Sequence, residues 1–394
     1  MSRRPATIQH RELPRPSEEA MAHQLRAISR ICQQIETAGG VISFQDYMQA
    51  ALYLPGYGYY RNGSQKFGAL GDFVTAPEIS PLFAQCVANF TQQVGLQSLL
   101  EIGAGSGVLA ANVLQQLAKQ DCLPQQYFIL ELSAELRQRQ RQTLQAICPQ
   151  AISHVEWLDT LPDSFSGIVI ANELLDAMPV RRFQLKGDNV LEQFVCCHDG
   201  VLCYENRQSD DERLLQRIAE LKAQTSIDES TSYLSEINFV AEDWLRTMAS
   251  QLDKAVVLLV DYGYPRNAYY HAQRNTGTLM CHYQHRAHPD PLILTTLQDI
   301  TAHVDFTAMA DAALGAGLEV CGFTTQAHFL LNMGILDSIN SDIEDWVEHV
   351  QMTNQVKKLT LPNEMGENFK VMALAKNYDQ VVPGFAQHDL RHLL

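Results

Sequence analysis

Three glycines spaced two apart, Gly103, Gly105 and Gly107, follow Glu101 and an apolar run containing Leu99, Leu100 and Ile102. Glycine there permits positive φ and lets a ligand approach the backbone, while the helix that follows presents its unpaired N–H groups. The turn therefore reads as a nucleotide-type cofactor site. A dinucleotide fingerprint would place glycine or alanine where Val108 stands, and a pyrophosphate has no need of Glu101 just ahead of the turn. A second acid, Glu131, ends the next apolar run, Tyr127 to Leu130. A carboxylate about twenty residues past a glycine turn accepts two hydrogen bonds from a ribose diol. The competing reading makes Glu131 a solvated acid beside Ser133, the cap of a helix through Leu136, Leu144 and Ile147.

Further candidates cluster at strand ends. Asn172, Glu173 and Asp176 follow the apolar strand Ile168 to Ala171, where parallel strands deliver residues into a ligand crevice. If a helical turn begins there, Glu173 and Asp176 share one face. They are otherwise acids gathered at a helix N-terminus for dipole reasons. Upstream of the glycine turn, Asp72 and Glu78 either face a cationic substrate or cap a helix starting near Pro77, with Thr75 beside them. His303 either positions a substrate and moves a proton or is a buried histidine satisfied by a carboxylate.

The elements that must hold these groups are legible in the periodicity. Leu109, Val113 and Leu117, with Ala110, Leu114 and Ala118, form two columns at four-residue spacing, as a buried helix face requires. Glu18 to Ala38 reads as a helix ended by Gly39-Gly40, and a second short helix follows Ser43. Gly167 to Ala171 and Ala255 to Val260 are continuous apolar runs that suit central parallel strands. Arg182 to Tyr204 alternates around Gly187-Asp188 and Asp199-Gly200, which signals hairpins. The polar stretch Glu205 to Ser230 reads as an exposed helix with loops, and Leu318 to Thr325 and Phe369 to Ala375 as antiparallel edge strands.

Composition bounds the function classes. With 46 % hydrophobic and 19 % charged residues the 394-residue chain is a folded protein rather than a disordered one. A formal charge of −16 argues against a nucleic-acid substrate held by its phosphates and suits a cationic partner. No apolar run approaches membrane-spanning length. The arm Met1 to Pro16 has arginines but no apolar signal core, so a cytoplasmic protein is expected, or a mitochondrial one should the arm be a transit peptide. Nine cysteines, including Cys196, Cys197 and Cys203, show no CxxC spacing, and reduced thiols are expected. His282, His285 and His288 recur every third residue, but Pro289 and Pro291 interrupt any helical pattern, so no metal is expected.

Three more segments carry a resemblance. LYLPGYGYYRNGSQKFGALGDFVTAPEISPLFAQ from Leu52, IVIANELLDAMPVRRF from Ile168, and VDYGYPRNAYYHAQRNTGTLMCHYQHRAHPDPL from Val260, followed by DITAHVDF from Asp299, join the glycine motif in order. Over roughly residues 43–334 the chain closely resembles the MidA-like S-adenosylmethionine-dependent methyltransferases, whose mitochondrial members are protein arginine methyltransferases assisting respiratory complex I assembly. The resemblance implies an α/β class I methyltransferase fold, a Rossmann-like sheet with helices on both faces, an N-terminal helical extension and inserted β-hairpins. It implies an arm and covering segment over 1–90 and a catalytic domain over 91–394, with insertions at about 181–250 and 264–310. The cofactor implied is S-adenosyl-L-methionine. Glu101 is then expected at its cationic amino-acid end, Glu131 at the ribose and Asp159 near the adenine, with Gly103, Gly105, Gly107, Thr75, Glu78 and Asn172 completing the pocket. For an arginine acceptor, whose guanidinium is protonated at neutral pH, carboxylates must orient the group, and Glu173 and Asp176 are expected to do so, with Asp72 and His303 assisting. The alternatives are a methyltransferase for another protein side chain or a small molecule, and a cofactor-binding assembly protein with little catalysis.

Overall fold

The computed structural model describes residues 13–61, 75–187, 189–227, 232–337 and 346–394. Ser17 caps α1 (Glu18–Thr37), whose spacing buries Ala27, Ile31 and Ile35 on one face, and the left-handed Gly39 and Gly40 end it. The chain then forms β1 (Val41–Ser43) and α2 (Phe44–Tyr53), the latter capped by Ser43. After α3 (Ala76–Ile79) and α4 (Pro81–Val94) the winding begins: β2 (Ser98–Ile102), α5 (Val108–Lys119), β3 (Gln126–Leu130), α6 (Ala134–Ile147), β4 (Val155–Leu158) and β5 (Phe165–Asn172). An antiparallel excursion follows through β6 (Arg181–Lys186), β7 (Asn189–His198), β8 (Val201–Gln208), α7 (Glu212–Gln224) and β9 (Tyr233–Ile237).

Next, α8 (Phe239–Ser250) and β10 (Leu252–Tyr264) return to the central sheet. The chain continues through α9 (Arg266–Tyr269) and the short strands β11 (Met280–Tyr283), β12 (Arg286–His288), β13 (Asp299–Thr301) and β14 (Val304–Asp305). It closes with α10 (Phe306–Gly315), β15 (Glu319–Thr325), α11 (Gln326–Asn332), α12 (Trp346–Thr360), α13 (Met365–Asn368) and β16 (Phe369–Lys376).

The central sheet has the order β15-β16-β10-β5-β2-β3-β4, with β14 added to β10. Strands β4, β3, β2, β5 and β10 run parallel, while β16 runs opposite to them and pairs antiparallel with both β10 and β15. The two C-terminal strands are antiparallel as expected, but only β15 is an edge, because β16 inserts between it and β10. Both faces are covered. Phe83, Phe90, Leu109, Val113 and Phe329 from α4, α5 and α11 pack on one face, and Leu245, Met248, Phe306 and Met309 from α8 and α10 on the other. That is why Ile168 to Ala171 and Ala255 to Val260 are apolar without alternation.

A second sheet, β1-β7-β6-β9 with β8 on β7, carries α1 and α2 on one face, where Ile31, Phe44, Tyr47, Val195 and Leu202 share a core. Asp199 and Gly200, both at positive φ, make the tight turn between β7 and β8, while Asp188 of the β6–β7 turn lies outside the described residues. The helix expected after Glu205 is the amphipathic α7, which buries Leu214, Ile218 and Leu221. The expectation of wholly reduced thiols is corrected: Cys32 and Cys197 form a disulfide that ties α1 to β7. Sequence spacing hides it, since the two cysteines are 165 residues apart and meet only in the folded layer. Among the described residues, no helix is long and apolar enough to cross a membrane.

Candidate active site

The carboxyl ends of β2, β3, β5 and β10 open into a cavity of about 810 Å³. The parallel sheet brings Glu101, Glu131, Asn172 and Tyr262 to its wall, and the turns after β2 and β5 add Gly103, Gly105, Glu173 and Asp176. Tyr53, Tyr60, Thr75 and Glu78 line it from the N-terminal region, and Met280, His282, Asp299, Thr301 and His303 from β11, β13 and the residues beyond. Of the described lining residues, six are carboxylates (Glu78, Glu101, Glu131, Glu173, Asp176 and Asp299) against a single arginine, Arg61.

The glycine turn divides its labour. Gly103 and Gly105 line the cavity with φ of 73° and 52°, conformations that side-chain-bearing residues seldom adopt. Gly107, also at positive φ, is instead the N-cap of α5 and does not reach the cavity. A Cβ there would lie 2.9 Å from Gln140 Cα, so this glycine permits α6 to pack against the turn. Gln140, fully buried, donates from Nε2 to the Gly105 carbonyl at 3.0 Å and to Glu131 Oε2 at 3.1 Å, and accepts from Trp157 Nε1. This residue links the turn to the second acid, and a lone glutamine in a polar helix carries no sequence signal for that role.

Glu101 is buried in β2, where Tyr127 Oη donates to its Oε2 at 2.7 Å. Burial pushes its carboxyl up to about 7, and the tyrosine bond opposes that rise. Glu131 accepts from Ser133 N–H at 2.8 Å as well as from Gln140, and Ser133 also caps α6. This acid sits at a helix start, yet it is buried rather than solvated and lines the cavity. Burial raises its carboxyl above the usual range. Each carboxylate oxygen has two lone pairs, so these bonds leave acceptor capacity for a ligand diol.

No helix starts after β5, contrary to both readings of Glu173 and Asp176. Glu173 lies at a positive φ of 51°, and its N–H donates to the Val260 carbonyl, so the chain turns sharply rather than coiling. Asp261, at the end of β10, holds the turn: its Oδ2 accepts from Leu175 N–H at 2.9 Å and Asp176 N–H at 3.3 Å. Glu173 Oε1 accepts from Ala76 N–H at 3.2 Å and Asn172 Nδ2 at 3.3 Å. Burial first, then the neighbouring Asp176, raises Glu173 to about 8. Burial lifts Asp176 to about 6, opposed by a hydrogen bond with Tyr262. Asp261 is raised well above the carboxylate range by burial and by Asp176 and Glu173. Asn172 Oδ1 and Asp176 Oδ1 are buried with no hydrogen-bond partner, in a cavity they both line. Both atoms therefore keep acceptor capacity facing the cavity.

The remaining candidates separate. Glu78 Oε1 accepts from Ser106 Oγ at 2.9 Å, across to the glycine turn, and Thr75 lines the cavity as the cap of α3. His303 packs edge-on against Tyr262 and stacks on Tyr264, with Nδ1 3.3 Å from the Thr278 carbonyl; burial lowers it to about 4, leaving a neutral ring. A backbone carbonyl rather than a carboxylate satisfies it, although it does line the cavity. Asp159 does not join the site: its side chain is 86 % exposed and pairs with Arg137 at 2.7 Å. Asp72 lies outside the described residues. Tyr53, Tyr60 and Asp299 were not singled out by sequence reasoning. Tyr60 Oη donates to Asp299 Oδ1 at 2.9 Å and its ring stacks on Tyr53 at 5.5 Å. The Gly-Tyr-Gly-Tyr-Tyr stretch held the available signal, while Trp244, which also lines the cavity, had none.

A doubly wound parallel sheet whose strand ends present a glycine turn, an acid before it and an acid after it defines a nucleotide-cofactor enzyme. A family model described as "Putative S-adenosyl-L-methionine-dependent methyltransferase" matches residues 82–324, and the chain belongs to that family. It is thus a methyltransferase, and its cofactor is S-adenosylmethionine. A superfamily member from Burkholderia thailandensis, solved bound to S-adenosyl-homocysteine, is 42 % identical with a TM-score of 0.92, covering 97 % of this chain and 100 % of that one. The Drosophila melanogaster "Protein arginine methyltransferase NDUFAF7 homolog, mitochondrial" is 29 % identical over 92 % of this chain and 89 % of its own. The Homo sapiens protein of that name is 26 % identical over 91 % and 85 %. These relatives are named as mitochondrial, which overturns the cytoplasmic expectation drawn from the N-terminal arm.

Proposed function

We propose that the protein is a protein arginine N-methyltransferase whose acceptor guanidinium is oriented by Glu173 and Asp176. The observation that carries this reading is the cavity lining, six carboxylates against one arginine among the described residues, which suits two cations at once: the sulfonium of the cofactor and the guanidinium of the acceptor. The names of the relatives agree with it.

On this reading Glu101 meets the ammonium of the cofactor's amino-acid end and Glu131 the ribose hydroxyls, with Gly103 and Gly105 allowing close backbone approach. Leu132, Leu161 and Trp244, which also line the cavity, supply apolar surface for the adenine in place of Asp159. The cofactor supplies an electrophilic methyl on a positively charged sulfur. The residues contribute alignment, since an in-line displacement needs the acceptor nitrogen held near van der Waals distance behind that methyl. Arginine keeps its proton at neutral pH, with a pKa above about 12. A carboxylate raised to about 8, as Glu173 is, both hydrogen-bonds the guanidinium and takes up the proton that the methylated nitrogen releases. Asp261 is a positioning residue that holds the β5 turn. Tyr60 with Asp299, and Tyr262 with Asp176, complete the acceptor end.

The test is transfer of a labelled methyl group to proteins of a cell lysate, followed by hydrolysis and amino-acid analysis. Label in methylarginine supports the reading. Label confined to another amino acid or to small molecules refutes the arginine assignment, and no transfer despite cofactor binding supports the assembly-protein alternative.

A further inference from the structure

The β7–β8 hairpin brings together three groups that the methyltransferase site does not use. Its tight turn, with Asp199 and Gly200 at φ of 50° and 80°, sets a register that pairs Cys196 with Cys203 and His198 with Val201. Side chains two apart on a strand share a face, and directly paired residues share it across the ladder. Cys196, His198 and Cys203 therefore emerge together, and one donor atom from each lies within 4.8 Å of the others. The two Sγ atoms are 3.0 Å apart and unbonded. Cys196 is buried, Cys203 half-buried and His198 exposed. Cys197 takes the opposite face, where it is bonded to Cys32. None of the three residues lines the cofactor cavity.

We propose that this hairpin carries a binding site for a thiophilic divalent cation of the Zn2+ class, ligated by Cys196 Sγ, Cys203 Sγ and an imidazole nitrogen of His198. Thiolate with imidazole is the donor set that selects such ions over the oxygen-seeking Mg2+ and Ca2+. Zinc bonds of about 2.3 Å to sulfur and about 2.0–2.1 Å to nitrogen fit within the donor triangle once the sulfurs part to about 3.7 Å, a small side-chain rotation. Binding releases the two thiol protons, and the resulting thiolates neutralise the dication. The fourth position faces solvent on the side of exposed His198, where a water completes the tetrahedron. The ion would brace the hairpin whose other face, through Val195 and Leu202, supports the α1–α2 layer. The spacing Cys-x-His-x4-Cys escapes a search for CxxC because the hairpin register, not local sequence, closes the site.

The test uses the untagged full chain as purified, with its Cys32–Cys197 disulfide intact, stripped with chelator, then titrated with Zn2+ alone and separately with Co2+. One bound equivalent and a sulfur-to-cobalt charge-transfer band are expected. C203S should lower Zn2+ affinity by about a hundredfold or more, since even indirect partners of a metal site are worth about 10–100-fold. H198A should lower it less and keep the charge-transfer band. C203S should bind S-adenosylmethionine as the wild type does, which shows that it has folded. Absence of a stoichiometric ion, equal binding by C203S, or a Cys196–Cys203 disulfide in the purified protein would each overturn the proposal.

Discussion

Replacing Tyr127 by phenylalanine should make S-adenosylmethionine binding depend steeply on pH across a range where wild-type affinity levels off. Tyr127 Oη donates to Glu101 Oε2 at 2.7 Å, and both residues are buried. Glu101 titrates at about 7 even with that bond in place. A hydrogen bond to a charged group contributes about 1.5–3 kcal/mol, and about 1.4 kcal/mol corresponds to one pKa unit. Without the bond the acid should therefore titrate roughly one to two units higher. The sign follows from the charge: a raised carboxyl pKa means that the ionised form, which the cofactor's ammonium requires, is lost sooner as pH falls. At pH 7 the ionised fraction drops from about one half to between about a tenth and a hundredth, and apparent affinity falls with it by about five- to fiftyfold. Calorimetric titration between about pH 6 and pH 8 reads both curves. The variant should gain about five- to tenfold per unit across this range, whereas the wild type flattens above about pH 7. Equal affinities at every pH, or a loss independent of pH, would refute the assignment of Glu101 to the ammonium.

Glu131→Ala should weaken cofactor binding by about 1.5–3 kcal/mol, and Glu131→Gln by less, as measured by calorimetry; unchanged affinity in both would return Glu131 to a purely helix-start role. Glu173→Gln should leave cofactor affinity near wild type while lowering methyl transfer strongly, because it keeps the shape of the side chain and removes its charge. In the wild type, turnover should rise with pH towards a plateau above about 8 as Glu173 ionises, and the pH–rate profile of the glutamine variant should lose that limb. Asp159→Ala should leave cofactor affinity unchanged, since the side chain faces solvent and Arg137; a large loss would place it in the pocket after all.

The sequence by itself determined the parts whose signal is local. The glycine turn, its flanking acids, the helix starts at Ser43 and Ser133 and the continuous apolar strands are each set by a few neighbouring residues, and all appear where the pattern places them. Tertiary structure decided what depends on which distant groups meet. Helix α6 makes Gly107 a packing residue and lets Gln140 join the turn to Glu131. Asp261, 85 residues beyond Asp176, holds the sharp turn that stands where a helix start was expected. Ion pairing with Arg137 draws Asp159 away from the cavity, and Asp299 reaches Tyr60 across 239 residues. Local propensity is written in adjacent side chains, but long-range hydrogen bonds and burial depend on how strands are ordered in the sheet, and no window of the sequence contains that order.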